Sequence, residues 1–424
     1  MTNRPEVLQN RDKGLDNHKF PQDQSMNIRA KKKIGLVLSG GGIKAAAFHI
    51  GVCLALKEKG FKFAGGQKDL VRYKFPDDLP MTIRLYVGSS AGAFVAAILS
   101  AGYDVESLIN AFQLGSGEKP RFNPADLKSM KPLGYRHIFS MNGSSLLNML
   151  PDSLLSKSFF TGGLEAFLKR GFKLNGLFSS KGLENYLRKY ALIDNEFSRL
   201  GVELYVVATQ LNHTRKAIFG NFPESHKTAT TKYINYSTIS DAVAASVALP
   251  PFFSPYAVKN QSGKEIQYYD GEIRETLSSH IAADHGCDLV ISSYSVQPYH
   301  YTEDIGSLHK FGIPVILNQA LYQVIQQKIA KHIEWQKNLD QIYGAIDGYF
   351  KKNELPSEHR DKILGIIRDR VKYNPNIDYV YIHPRPQNYE MFFVDHFSLN
   401  PKTLEKIVRI GFKSTIHTLR RYGI

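Results

Sequence analysis

The chain is poor in cysteine: only Cys53 and Cys287 occur in 424 residues, far apart and without a spaced partner. This argues against a disulfide framework and for a reducing setting, so a cytoplasmic protein is expected. The first thirty residues, Met1 to Ala30, lack the apolar core of a secretory signal. No uninterrupted apolar run reaches the ~18 residues a membrane span requires, and Val95 to Ala101 is far too short. Internal repeats of solenoid length are missing. Acidic residues are also scarce relative to basic ones: Lys plus Arg number 54 against 39 Asp plus Glu, a net charge of +15. Such a balance favours anionic partners, either acidic lipid headgroups or nucleic acid. With no recognisable reading module, nucleic acid is not expected, and an anionic membrane surface is.

Two glycine-rich stretches carry the most information. Gly88-Ser89-Ser90-Ala91-Gly92 fits Gly-x-Ser-x-Gly, a sharp turn that lifts a serine hydroxyl clear of a sheet. Its flanks agree: Ile83 to Val87 reads as a buried strand and Ala91 to Leu99 as a helix. Standing alone, a small-residue turn would explain the pentapeptide equally well. Upstream, the β-like run Ile34 to Leu38 leads through Ser39-Gly40-Gly41-Gly42 into a helical stretch from Lys44 to Lys59. Backbone N–H groups converge where a strand, a glycine loop and a helix N-terminus meet, and the helix dipole favours an anion there. The spacing fits neither a phosphate loop ending in Gly-Lys-Ser/Thr nor the dinucleotide fingerprint, because Ala45 occupies the third glycine position counted from Gly40. An oxyanion hole is the better reading, built on the loop from Gly40, with N–H donors from Gly41, Gly42 and Ile43 and with Lys44 adding positive charge.

A reactive serine needs a base. Of the late histidines, His280, His285, His383 and His396, none follows a strand with an acidic partner at a convincing position. Gln267-Tyr268-Tyr269-Asp270-Gly271 offers an alternative, a β-like run ending in a carboxylate at a permissive turn. An ordinary Asp-Gly turn would give the same pattern.

Taken together, Gly40-Gly41-Gly42-x-Lys44, Gly88-x-Ser90-x-Gly92 and Asp270-Gly271, with Ala244-Ala245-Ser246-Val247-Ala248-Leu249-Pro250-Pro251-Phe252-Phe253-Ser254-Pro255 between them, resemble the motifs of patatin-like phospholipases in order and rough spacing. The resemblance spans roughly residues 34 to 295. It implies a lipid acyl hydrolase with a Ser-Asp dyad: Ser90 as nucleophile, Asp270 as base, and Gly40 to Lys44 as oxyanion hole. It calls for no cofactor and no metal. Three positions depart from the family pattern. Lys44 and Ala45 stand where arginine and glycine are usual, Glu272 replaces the small third residue of the Asp-Gly turn, and Thr276-Leu277-Ser278 replaces a common Asn-x-Pro.

Further strands are expected at Glu203 to Ala208, Asp288 to Ser292 and Tyr379 to Ile382. Their alternation with helical segments predicts an α/β fold, a mostly parallel central sheet with helices on both faces. The expected organisation is a flexible basic tail over 1–33, a catalytic domain over 34–295 and a mainly helical C-terminal extension over 296–424. Within the catalytic domain, 134–192 is rich in leucine and aromatics (Phe139, Leu146, Leu147, Leu150, Phe159, Phe160) and suits a lid over an acyl groove or a second helical layer. Leu317 to Phe350 has the periodicity of a long helix packed on the core. From Asn400-Pro401 onward, Lys402, Lys406, Arg409, Lys413 and Arg420 line one helical face against Leu404, Val408, Phe412 and Leu419. That pattern suits either a membrane-surface helix or a terminal helix docked on the core with a solvated basic side. The expected activity is cleavage of phospholipid or lysophospholipid acyl esters at the membrane surface. An acyltransferase using the same residues and a non-catalytic lipid-binding scaffold are the alternatives.

Overall fold

The structure is a computed structural model that describes residues 26–114, 130–141, 176, 178–371 and 373–424. Its principal strands are β1 (Ile34–Leu38), β2 (Thr82–Ser89), β3 (Glu203–Gln210), β4 (Lys216–Phe219), β5 (Thr231–Ile234), β6 (Glu265–Asp270), β7 (Leu289–Ser293) and β8 (Asp378–Ile382). The principal helices are α1 (Gly42–Glu58), α2 (Ala91–Ser100), α3 (Ile239–Ser246), α4 (Ile313–Lys352), α5 (Ser357–Val371) and α6 (Pro401–Arg420). The sheet order is β8-β7-β1-β2-β3-β4-β5, parallel from β8 through β3 and antiparallel between β3 and β4. β1 and β7 are buried along their whole length, as strands covered on both faces must be.

The pleat divides the core in two. Leu36, Leu38, Ile83, Tyr86 and Val206 face one side, where residues of α1, α2, α3 and α6 complete the cluster. Val37, Leu85, Val87 and Val207 face the other, against Ile281 and the middle of α4 at Ile325, Ile329 and Ile333. The α/β architecture with helices on both faces is therefore as expected, and each predicted strand is present.

Other expectations resolve differently. Residues 28–33 do not trail away from the domain: Ile28 is buried, the Lys31 ammonium pairs with Asp378 at 2.5 Å and that of Lys33 with Glu203 at 2.6 Å. The C-terminal extension is mostly helical, yet it also supplies β8, so the sheet crosses the anticipated boundary. α6 resolves its two readings in favour of docking. Leu404, Ile407, Ile410 and Leu419 are buried, while Lys402, Lys406, Arg409, Lys413 and Arg420 are exposed. It crosses α1 closely enough that a Cβ on Gly51 would lie 2.0 Å from the Val408 carbonyl oxygen. α4 is longer than expected and only partly packed. Tyr322, Ile329, Leu339 and Tyr343 are buried, but Leu321, Val324 and Ile342 stand exposed. Its far part packs on α5 instead of the sheet, where Leu339 and Tyr343 meet Leu364, Ile367 and Tyr373. Of the anticipated lid, Leu146, Leu147, Leu150, Phe159 and Phe160 lie outside the described residues, as does most of the N-terminal tail.

Candidate active site

Sheet register brings the two key stretches together. β3 pairs with β4 along one edge over Val206 to Thr209, so β2 and β6 must share its other edge. β2 ends there with Ser89 opposite Val207, and β6 takes over at the next position, with Asp270 opposite Ala208. Residues far apart in sequence thus become neighbours along one strand edge. The Asp270 carboxylate lies within hydrogen-bonding reach of the Ser90 hydroxyl.

Ser90 sits between the last residue of β2 and the first of α2 with φ 52° and ψ −123°. Such a conformation costs a non-glycine residue about 1–3 kcal/mol and persists only where the surroundings enforce it. Here the Ser90 N–H donates to Ser246 Oγ at 2.7 Å, and the Ser246 hydroxyl donates to the Val207 carbonyl at 2.6 Å. Gly92 lets α2 start hard against the end of β1, for a Cβ there would lie 2.2 Å from the Leu38 carbonyl oxygen. Gly88 precedes the turn and packs on Ala93. Ser90 and Asp270 are both buried. Burial pushes the Asp270 carboxyl up to about 6, against the opposing effects of the Ser90 hydroxyl and the Glu272 N–H. Gly271, next to the carboxylate, packs on the Val207 carbonyl and Ser89.

Beside the serine runs Gly40-Gly41-Gly42. Gly41 and Gly42 have φ of 129° and 71°, open to glycine and strained for other residues. The N–H of Gly40 donates to Glu272 Oε1 at 2.7 Å, and that of Lys44 to the His396 carbonyl at 3.3 Å. Those of Gly41, Gly42 and Ile43 have no partner among the described residues. From below, His49 holds the loop through Nε2 to the Ser39 carbonyl and Nδ1 to Ser293 Oγ, both at 2.8 Å. Burial pushes its ring down to about 4, so it is neutral. The Lys44 charge does not reach the cavity. Its amine is fully buried, donating to Tyr322 Oη at 2.6 Å and the Met391 carbonyl at 2.9 Å, and burial pushes it down to about 7.

The cavity in front of Ser90 is apolar, lined by Gly42, Ile43, Phe94, Phe112, Leu133, Ile138, Leu183, Val247, Leu249, Phe253 and Phe397. Phe139, which the insertion was expected to contribute, packs on Phe178, Phe253 and Phe397 at its edge. A hydrocarbon chain fits such walls; a charged group does not. None of the late histidines reaches the serine. His280 contacts Lys216 and Glu275, His285 the Ile281 carbonyl, His383 the Pro384 carbonyl, and His396 bonds to Tyr322. Among the described residues no cluster of His, Cys, Asp and Glu is arranged to hold a metal ion.

Several participants escaped the sequence reading. Ser246 lies inside the Ala244 to Pro255 segment, where its role as a backbone anchor had no separate signature. Tyr322, His396 and Phe397 come from the extension, where no motif marks them.

A strained serine thus lies against a buried carboxylate, beside an apolar cavity and amides that have no partner among the described residues. The sequence profile of the patatin-like phospholipases matches residues 36–283, and the chain belongs to this lipid acyl hydrolase family. Among curated proteins no relative matches.

Proposed function

We propose that this protein hydrolyses acyl esters of membrane phospholipids or lysophospholipids, with Ser90 as nucleophile and Asp270 as its base. The observation that carries the reading is the contact of these two side chains beside the N–H groups of Gly41, Gly42 and Ile43, which have no partner among the described residues. Ser90 Oγ attacks the ester carbonyl as its proton passes to Asp270, and the tetrahedral oxyanion accepts hydrogen bonds from the loop. The proton then goes to the departing alkoxide. Water, deprotonated by Asp270, attacks the acyl-serine and releases the fatty acid. No histidine is required, because burial lifts Asp270 towards the range in which a carboxylate can take a proton.

The substrate reaches the cavity from a membrane surface. Among the described residues no helix is long and apolar enough to cross a bilayer. The net charge of +15 favours anionic lipid. Two free, buried cysteines suit a reducing cytoplasm.

The test is fatty-acid release from phospholipid and lysophospholipid vesicles, read by mass spectrometry for the wild type and Ser90→Ala. Loss of at least about a thousandfold in Ser90→Ala is expected. Equal release by both proteins would refute the assignment.

A further inference from the structure

Glu272 follows the base by two residues, at a turn position where the family resemblance leads one to expect glycine or alanine. Its N–H donates to Asp270 Oδ1 at 2.9 Å, and its Oε1 accepts the Gly40 N–H at 2.7 Å. The contact is close: a Cβ built on Gly40 would lie 2.5 Å from Glu272 Cγ and 2.7 Å from Ser90 Cβ. One side chain therefore ties the turn of the base to the glycine loop at the point where that loop passes the serine. We infer that Glu272 is a positioning residue, whose carboxyl fixes Gly40 so that the next amides in the chain, those of Gly41 and Gly42, point at the oxyanion. The inference rests on the reaction proposed for Ser90.

The groups facing this carboxyl are the Asp270 carboxylate, the Gly40 N–H and the hydroxyls of Ser89 and Thr276. Among the described residues no cation faces it. Desolvation, reinforced by the charge of Asp270, pushes Glu272 up to about 8. At neutral pH it is an uncharged acid, which can accept from Gly40 through its carbonyl oxygen and adds no negative charge near the forming oxyanion. Ionisation at higher pH adds that charge, and the reaction slows.

The experiment compares wild type, Glu272→Gln and Glu272→Ala on a short soluble nitrophenyl ester, recording kcat, KM and the pH profile. Alongside it, ¹³C NMR of protein labelled at the glutamate carboxyls follows the titration of Glu272 itself. Glutamine retains the carbonyl acceptor, so kcat at pH 7 stays within about threefold while the alkaline fall near pH 8 disappears. Alanine loses the bridge, and kcat drops about tenfold to a hundredfold with KM little changed. A carboxyl resonance titrating near pH 8 in the wild type and missing from Glu272→Gln supports the bridge. Wild-type kcat in Glu272→Ala, or an alkaline limb preserved in Glu272→Gln, would overturn the inference. A wild type that neither hydrolyses the ester nor is labelled by an alkyl fluorophosphonate, a serine-directed probe run alongside, would instead refute the reaction assigned to Ser90.

Discussion

At the residue scale the site depends on carboxyls kept where water would not leave them. In the proposed reaction Asp270 must be ionised to take the serine proton, and burial pushes it up to about 6. The acid limb of kcat/KM on a soluble ester should therefore have its midpoint near pH 6, above the ordinary aspartate range, as a pH-rate profile would reveal. A limb below pH 5 would mean that Asp270 is not the titrating base. The same burial has a stability cost whose sign is fixed. The folded protein holds the Asp270 proton more tightly than the unfolded chain, so between about pH 4 and pH 6 unfolding releases a proton and stability falls as pH rises. Asp270→Asn removes this dependence. It should raise Tm by a few degrees at pH 8, show little difference near pH 4, and abolish ester hydrolysis; scanning calorimetry at both pH values checks the first two. The Asp-Gly turn was legible in the sequence, but the link from Glu272 to Gly40 was not. It joins residues more than two hundred positions apart, and local patterning carries no trace of such a contact.

At the scale of elements, the sequence disclosed what is periodic or glycine-dependent. The elbow at Ser90, the first strand with its glycine loop, and β2, β3, β6, β7 and β8 follow from apolar runs and from turns that only small residues accept, whereas β4 and β5 were not anticipated. What stayed hidden was how the extension closes the site. His396 receives the Lys44 N–H, and a Cβ on Gly42 would lie 2.5 Å from the His396 carbonyl oxygen. Lys44 itself is held by Tyr322 and Met391, and Phe397 walls the cavity. Read by spacing alone, Lys44 belonged with the oxyanion hole; its long side chain instead follows the helix flank into the extension. Phe397→Ala should raise KM for long-chain esters about fivefold to thirtyfold, matching ~1–2 kcal/mol of lost apolar contact, and leave short esters nearly unaffected. A chain-length series measures this, and an equal effect on both ends of the series would argue against Phe397 as an acyl contact. Ser246→Ala, which removes the anchor of the strained Ser90 N–H, should lower kcat rather than raise KM.

At the scale of the whole molecule, the extension belongs to the fold as well as to the site. β8 pairs in parallel with β7, and α6 covers α1 through the Gly51 crossing. Truncation after residue 295 removes both, together with His396 and Phe397, and should yield insoluble or unfolded protein. A folded, active fragment of residues 1–295, seen by circular dichroism and ester turnover, would contradict this. Fold class was legible because buried parallel strands leave nearly continuous apolar runs. The packing of α4 was not, since its helical period is the same on the stretch that meets the sheet and on the stretch that meets α5. The basic face of α6 likewise looked the same whether the apolar face met lipid or α1. Whether chain topology sets one hydroxyl against one carboxylate is decided by reacting the protein with an alkyl fluorophosphonate and mapping the adduct by peptide mass spectrometry. A single adduct on Ser90 is expected in the wild type, formed much more slowly in Asp270→Asn. Labelling of another serine, or equal labelling rates in both proteins, would contradict it.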